Sequence, residues 1–172
     1  MKSTGNQQDN IDMESLKRIY DINRERLNAL SIPFREWQHE AILDFDTDIR
    51  IASELGWTGT HTKSLFLKLK GQGYAIYLTE KDSRLDAKQI KAVTGKRPSI
   101  CDDGEMVEVL GCLPGAVCPI GLPEYVTLIV DTTLYQHEEL LYTPGLPEFT
   151  FGFAGKHLKR LLLAGNHILY EI

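Results

Sequence analysis

The chain has 172 residues, of which 42% are hydrophobic and 25% charged, a composition typical of one globular domain with its own core. A net charge of −5 argues against a protein that grips long stretches of nucleic acid, and no apolar run reaches the roughly 18–20 residues of a membrane span. The N-terminus, MKSTGNQQDNID, is polar and lacks an apolar signal segment. We therefore expect a cytoplasmic protein, with a disordered tail at residues 1–10 and a single domain over 11–172.

Apolar residues at helical spacing predict helices, and alternating apolar residues predict strands. Strands mixed with helices through short connections indicate an α+β fold rather than a doubly wound parallel sheet. In the first part of the chain we expect a helix over 12–30 capped by Asn10 or Asp12, a strand in PFREWQHE, a helix over 46–55 ended by Gly56 and a β-hairpin over 64–80. In the middle we expect a helix in DSRLDAKQIKAVTG, a strand in PSIC, a helix from Asp102 or Asp103 to Leu110 and a buried strand in YVTLIVD. The last part should form strands at 140–142 and 149–153, a helix over 156–163 and a closing strand in HILYEI.

The segment GCLPGAVCPIGL, residues 111–122, combines glycines, prolines and two cysteines. Cys112 and Cys118 are not spaced like a zinc-binding C-x₂₋₄-C pair, so we expect no metal. Cys118 would need a base to become a nucleophile, and its neighbours Val117 and Pro119 supply none. Two interpretations stay open for the loop alone: a tight turn needed only for folding, or a stiff backbone whose N–H groups bind an anion or an oxyanion.

Three segments in register resemble one known family. The 111–122 loop resembles a G-x-x-P-G-x-V-x-P-F-G loop, HTKSLFLKLKG at 61–71 resembles a T-K-x-L-F-L-K segment, and SIPFREWQHE at 31–40 resembles a G-I-P-[FY]-x₃-x-H-E strand. All three belong to the YbaK / prolyl-tRNA synthetase-associated editing superfamily, also called the INS or ProXp proteins. The resemblance spans roughly residues 14–172, and three motifs in the same order are far more specific than one.

The resemblance implies an α+β fold with a mixed, mostly antiparallel, curved and barrel-like sheet surrounded by helices. It also implies a trans-acting aminoacyl-tRNA deacylase, which hydrolyses the ester of a mischarged tRNA, tRNA-Pro or a related one. Such an enzyme needs no cofactor and no metal. Its expected partners are the aminoacylated CCA end of tRNA and a recruiting aminoacyl-tRNA synthetase, with no membrane involved.

The family's chemistry, carried onto this sequence, implies three catalytic residues. Lys63 would hold the terminal nucleotide or place the ester as a point charge. The loop from Gly115 to Pro119 would present backbone N–H groups to the developing oxyanion. Because an aminoacyl ester is already activated, positioning and oxyanion stabilisation suffice for its hydrolysis by water.

The same resemblance implies a wall that selects the amino acid. Thr143 stands where members that hydrolyse alanine esters carry the histidine of F-H-P-x-x-N-T, and the segment YTPG is closer to the F-N-A-G of other free-standing relatives. The amino acid is therefore left open. The expected substrate-binding residues are His39, Ile42, Ser64, Leu65, Ala116, Val117, Cys118, Ile120, Gly121 and Thr143.

Two basic clusters are candidate contacts for tRNA phosphates. Each is equally explained as the solvated face of an amphipathic helix. The clusters are Lys88, Lys91, Lys96 and Arg97 in mid-chain, and Lys156, Lys159 and Arg160 near the C-terminus.

Two further hypotheses remain beside the deacylase. A protein of this fold that lacks catalysis would be a binding module for a tRNA 3′ end or a small ligand, and the residue at Thr143 favours it. An enzyme of the same class could instead hydrolyse another small ester or thioester. Competition by uncharged tRNA separates that activity from tRNA editing.

Overall fold

The computed structural model describes residues 2–71 and 73–172, with side chains described from residue 13 on. The first helix begins at Lys2, ahead of the cap expected at Asn10 or Asp12, and the disordered tail expected at 1–10 stays a prediction. The elements are α1 (Lys2–Ala29), β1 (Phe34–Gln38), α2 (Phe45–Leu55), β2 (Thr60–Leu69), β3 (Tyr74–Glu80), α3 (Ala87–Thr94), β4 (Pro98–Ile100), α4 (Asp103–Leu110), β5 (Thr127–Val130), a 3₁₀ helix at Thr132–Gln136, β6 (Leu140–Tyr142), β7 (Phe149–Phe153), a 3₁₀ helix at Gly155–His157, α5 (Leu158–Leu163) and β8 (Leu169–Glu171).

Local capping chemistry sets the ends of the middle helices. The side chain of Asp44 accepts from the Thr47 N–H at 2.8 Å and starts α2, and Gly56 ends that helix with φ 68°. Asp102 starts α4 by accepting from the Glu105 N–H at 2.8 Å. Short polar side chains satisfy N–H groups that the first helical turn leaves without partners, so these boundaries follow directly from the sequence.

One sheet contains all eight strands, in the order β1-β7-β6-β2-β3-β5-β8, with β4 paired to β2 off this path. β1–β7, β6–β7, β2–β3 and β2–β4 pair antiparallel, whereas β2–β6, β3–β5 and β5–β8 pair parallel. The sheet is therefore mixed and mostly antiparallel, which confirms the expected α+β class. Among the described residues, no helix is both long and apolar enough to cross a bilayer.

The two faces of the sheet bury different clusters. Along β3, Ile76 and Leu78 join the larger core, which packs against α1, α4 and α5, while Ala75 and Tyr77 join a smaller cluster that includes Ile90 of α3. This alternation follows from the two-residue period of a strand. The glycine- and proline-rich segment 111–122 also contributes to the larger core. It is a packed part of the domain and not a linker.

Two details differ from the sequence predictions. The chain forms a 3₁₀ helix at Thr132–Gln136 that was not expected; the side chain of Asp131 caps it by accepting from the Thr133 N–H at 3.0 Å. The helix expected over 156–163 is divided into a 3₁₀ turn and α5. Both are short 3₁₀ segments, which periodicity over a long window does not detect.

Candidate active site

β2 changes partners along its length, and this change creates a cavity. Its first residues, Thr60 and His61, pair with β6, and its last three, from Leu67 on, pair with β4. At the two ends of the gap, the Thr62 hydroxyl donates to the Leu141 carbonyl at 2.9 Å, and the Cys101 N–H donates to the Phe66 carbonyl at 3.0 Å. Within the described residues, no strand pairs with 63–65 on this side.

The cavity of about 440 Å³ lies in this gap. Its lining comes from the unpaired part of β2, from the chain after β6, from the segment before α2, and from the glycine- and proline-rich loop. Of the predicted site residues, eight lie in this lining: Ile42, Lys63, Ser64, Leu65, Gly115, Ala116, Val117 and Thr143. Four chain segments that are distant in sequence therefore meet at one concave site.

Lys63 reaches the cavity from the unpaired part of β2. Its ammonium group donates to the carbonyl of Ser83, which follows β3. This contact fixes the ammonium group and leaves its other N–H groups able to donate to a ligand. A lysine held in this way supplies a localised positive charge at the site.

Gly115 is the point where the loop meets the segment before α2. It has φ +85°, and a Cβ at this position would overlap the carbonyl oxygen of Leu43. Only glycine fits both the left-handed conformation and this close approach. The loop backbone is therefore brought directly to the cavity surface.

The backbone N–H groups of the loop differ in whether they already have a hydrogen-bond acceptor within the protein. The Ala116 N–H donates to the Leu113 carbonyl at 3.0 Å. Among the described residues, no acceptor is found for the N–H groups of Gly115 and Val117. These two residues line the cavity, so their N–H groups are the available donors for an anionic or developing anionic oxygen.

A buried polar network holds the rest of the loop. Asn23 of α1 is fully buried, and its Nδ2 donates to the Ile19 carbonyl at 2.8 Å and to the Ile120 carbonyl at 3.3 Å. The Tyr142 hydroxyl donates to Asn23 Oδ1 at 2.8 Å. The Cys118 thiol lies 3.4 Å from Asn23 Nδ2. One amide thus ties together α1, the loop and the end of β6, and a satisfied buried network of this kind makes the loop more rigid.

Three predicted substrate-binding residues of the loop lie outside the cavity lining, and their role in binding stays a prediction. Cys118 and Ile120 are 0% and 2% exposed and pack in the core, and Gly121 lies against Ile19 of α1. Pro119, predicted as catalytic, is also buried and is absent from the lining. The loop lines the cavity at 115–117 and then continues into the core beside α1 at 118–121.

The thiols are poor nucleophiles in this setting. Burial raises the pKa of Cys118 far above that of an ordinary thiol, and the nearby Cys112 adds to the shift. Burial likewise raises the pKa of Cys112 to about 11. Because the thiolate is the reactive form, Cys118 is disfavoured as a nucleophile. All three cysteines are free, and no metal-binding group of three or more His, Cys, Asp or Glu occurs among the described residues.

His39 acts behind the cavity and not in its lining. One ring nitrogen, Nδ1, lies 2.6 Å from the Glu40 carbonyl, and Nε2 lies 2.8 Å from the hydroxyl of Thr150. A carbonyl can only accept, so Nδ1 carries the proton and Nε2 accepts from Thr150. Thr150 lines the cavity. His39 therefore orients a lining hydroxyl rather than contacting a ligand itself.

The sequence prediction missed a charged cluster at the cavity. Asp48 of α2 pairs with Lys81, which follows β3, and its Oδ2 lies 3.2 Å from Nδ1 of His61. Burial opposes ionisation of Asp48, but the hydrogen bonds and charges of His61 and Lys81 outweigh it and lower the pKa of that carboxyl group. His61 stood in the 61–71 motif, but nothing local signalled Asp48 or Lys81.

The two basic clusters lie outside the cavity lining. Lys88 and Lys91 are exposed on α3, and Arg97 is exposed just after it. In the second cluster, Lys159 pairs with Glu171 at 3.0 Å, and Arg160 donates to the Leu30 carbonyl at 3.1 Å. The charge of the second cluster is thus partly engaged within the protein. Lys96, half-buried, and Lys156, exposed, complete the two clusters, whose role in tRNA contact stays a prediction.

Comparison with known proteins identifies the family of the chain. The family model of the aminoacyl-tRNA editing domain matches residues 50–161, and the chain belongs to this YbaK-like family. It is 27% identical, over 136 residues, to the Multifunctional Ser/Thr-tRNA deacylase ProXp-y of Escherichia coli K12, a match that covers 73% of this chain and 79% of that relative.

Two solved structures share the fold. One, a protein assigned as a trans-editing enzyme for prolyl-tRNA synthetase, superposes with a TM-score of 0.70 at 20% identity, covering 91% of this chain and 95% of its own. Another, a hypothetical protein, gives a TM-score of 0.72 at 21% identity and covers 86% of this chain and 96% of its own.

Proposed function

We propose that the protein is an aminoacyl-tRNA deacylase that acts in trans and hydrolyses the ester of a mischarged tRNA. The observation that carries the proposal is the juxtaposition, in one cavity, of Lys63 with the N–H groups of Gly115 and Val117, which have no acceptor within the described residues. Membership of the editing family and the likeness to a Ser/Thr-tRNA deacylase support it.

The proposed reaction uses water as the nucleophile. Water oxygen attacks the ester carbonyl carbon, and the N–H groups of Gly115 and Val117 donate to the oxygen that becomes negative. The bond from the carbonyl carbon to the ribose oxygen then breaks, and the proton lost by water passes to that leaving oxygen. Lys63 holds the terminal nucleotide through its free N–H donors. The products are the free amino acid and uncharged tRNA.

The lining suggests a small amino acid. Ile42, Leu65 and Val117 supply aliphatic surface, while Thr143 and Ser64 bring hydroxyl groups. A site that combines these groups discriminates side chains that differ by a methyl or a hydroxyl group. The proposal includes that tRNA-Pro or a related tRNA carries the ester. It also includes a cytoplasmic location and recruitment by a synthetase.

A deacylation screen tests the proposal. tRNA-Pro, tRNA-Ala, tRNA-Ser and tRNA-Thr are charged with cognate and near-cognate amino acids, and the surviving ester is followed over time. We expect the protein to deacylate at least one mischarged species and Lys63→Ala to lose about 100-fold in kcat/KM. Lys70→Ala is the matched control, because Lys70 is exposed near the other end of β2 and does not line the cavity. Survival of every ester at micromolar protein would overturn the deacylase assignment.

A further inference from the structure

A second concave site adjoins the candidate active site. It has a volume of about 540 Å³, and its lining includes Phe45, His61 and Lys81, which also line the first cavity. The two cavities are therefore neighbours across a shared wall. A ligand that is longer than one unit can occupy both.

One side of the second cavity is an apolar platform on α2. Phe45 and Ile49 lie one helical turn apart and are 54% and 50% exposed. Aromatic side chains exposed beside a cavity are typical platforms for unpaired nucleobases, since every base has a π-face that stacks on them.

The other side carries carboxylates. Glu80 Oε1 lies 2.9 Å from His137 Nε2, which leaves its second oxygen available. Asp82 is exposed and has no ion pair among the described residues. Carboxylates accept hydrogen bonds from exocyclic amines of bases, and they repel the carbonyl oxygen that uracil presents in the same place.

The wall between the cavities holds a positive charge. The Lys81 ammonium pairs with Asp48 and lies 4.2 Å from the centroid of the Phe45 ring. Lys81 lines both cavities, so its two remaining ammonium N–H groups are near a chain that passes from one cavity to the other. A phosphodiester at this crossing would meet a cation, whereas the base beyond it would meet the platform and the carboxylates.

We propose that the second cavity is a nucleotide subsite for the cytidine that precedes the terminal adenosine of the tRNA. The inference rests on the proposed function, because it places the ester and the terminal nucleotide in the first cavity. Phe45 stacks on the cytosine ring, Glu80 and Asp82 accept from its exocyclic amine, and Lys81 contacts the linking phosphate. The subsite reads the single-stranded end without contacting the rest of the tRNA.

Binding of short RNA ends tests this subsite independently of hydrolysis. The probes are two fluorescently labelled oligoribonucleotides that end in ACCA or ACUA, measured by anisotropy at low salt. We expect the protein to bind the ACCA probe about ten-fold more tightly than the ACUA probe. Asp82→Asn combined with Glu80→Gln reduces this preference to within about two-fold, since an amide also donates to uracil O4.

The platform has its own variant and control. Phe45→Ala weakens binding of both probes about ten-fold, because stacking does not depend on base identity. Tyr125→Ala is the matched control, since Tyr125 is 65% exposed and lines neither cavity. We expect this variant to bind both probes with the wild-type affinity.

The outcomes separate the two proposals. Equal affinity of the wild-type protein for ACCA and ACUA overturns the subsite, and so does wild-type affinity in Phe45→Ala. A preserved cytosine preference with every charged tRNA left intact supports the subsite and overturns the deacylase. Hydrolysis of a charged tRNA with no preference between the two probes supports the deacylase and overturns the subsite.

Discussion

The cavity has two walls of opposite physical character. On the loop side, Ala116 is 2% exposed, and the Asn23 network holds Cys118 and Ile120, which pack in the core behind this wall. On the α2 side, Leu43 and Phe45 are 43% and 54% exposed, and ion pairs hold the helix. The loop side suits groups that must be fixed before a reaction, such as oxyanion donors, and the α2 side suits contacts that form with a ligand.

The largest expected loss of stability is that of Gly115→Ala, because Gly115 is where the two walls are in contact. The new Cβ overlaps the Leu43 carbonyl and is strained at φ +85°. We expect a loss of about 3 kcal/mol in the free energy of unfolding, measured by urea denaturation. Gly95→Ala is the control, because Gly95 has φ +76° and open space around it. It isolates the conformational strain, about 1 kcal/mol. Equal losses in the two variants would contradict the role of the overlap.

Breaking the buried network tests whether the loop side is held as described. Asn23→Ala leaves the Tyr142 hydroxyl without its acceptor, and we expect it to cost about 2 kcal/mol in the free energy of unfolding. Tyr142→Phe in the Asn23→Ala background should cost about 1 kcal/mol less than it does in the wild type. A double-mutant cycle measures this coupling, and simple additivity would argue against the network.

Removing the charge of Asp48 tests the α2 side. Asp48→Asn should lose about 1 kcal/mol in the free energy of unfolding at pH 7, because Lys81 and His61 lose their anionic partner. The pKa of Asp48 is lowered in the folded protein, so its ionised form stabilises the fold above its ordinary pKa of 3.8. This contribution is lost as pH falls through the lowered pKa.

The difference in the free energy of unfolding between wild type and Asp48→Asn should therefore become smaller below about pH 4. Denaturation curves at several pH values measure it. Asp46→Asn, an exposed change on the same helix, serves as control and should stay within about 0.5 kcal/mol of the wild type at every pH. A difference that grows toward acid pH would contradict the ion-pair assignment.

The smallest effect on stability is expected at Phe45. Because its ring is more than half exposed, Phe45→Ala should change the free energy of unfolding by no more than about 0.5 kcal/mol. The contrast with Gly115→Ala sharpens the distinction between a wall that supports the fold and one that serves a ligand. Thermal denaturation measures the change, and a loss above about 2 kcal/mol would show that Phe45 belongs to the core.

Local chemistry made much of the fold predictable. The hairpin of β2 and β3, the Asp102 cap and the Gly56 stop depend on neighbouring residues, so pattern and propensity suffice for them. The partner change along β2 depends on where β4 and β6 arrive from distant parts of the chain. No local pattern contains that information, and only the family resemblance indicated that Lys63 and Gly115 share a site.

Physical reasons explain why some predicted residues lie outside the lining and why the sequence missed others that line it. Cys118 and Ile120 follow the cavity-lining residues 115–117 in a loop that is apolar throughout, so the sequence does not tell where the loop turns from the cavity into the core. Asp48 and Lys81 meet because the antiparallel register places Thr62 opposite Glu80, which brings the end of β3 beside the start of β2 and under α2. A contact of that kind appears only with the tertiary structure.

The unpaired stretch of β2 has a consequence for the protein's behaviour in a crowded solution. Backbone groups at a strand edge are templates for pairing with other chains, and exposed edges promote aggregation. Here the open edge at 63–65 is only three residues long, between the pairings with β6 and β4, and the loop and the segment before α2 line the cavity beside it, so a second chain has too short an edge to pair with. The gap in the sheet that admits a narrow ligand therefore also protects this edge from pairing with another chain. Resistance to aggregation and access for a ligand have the same structural origin.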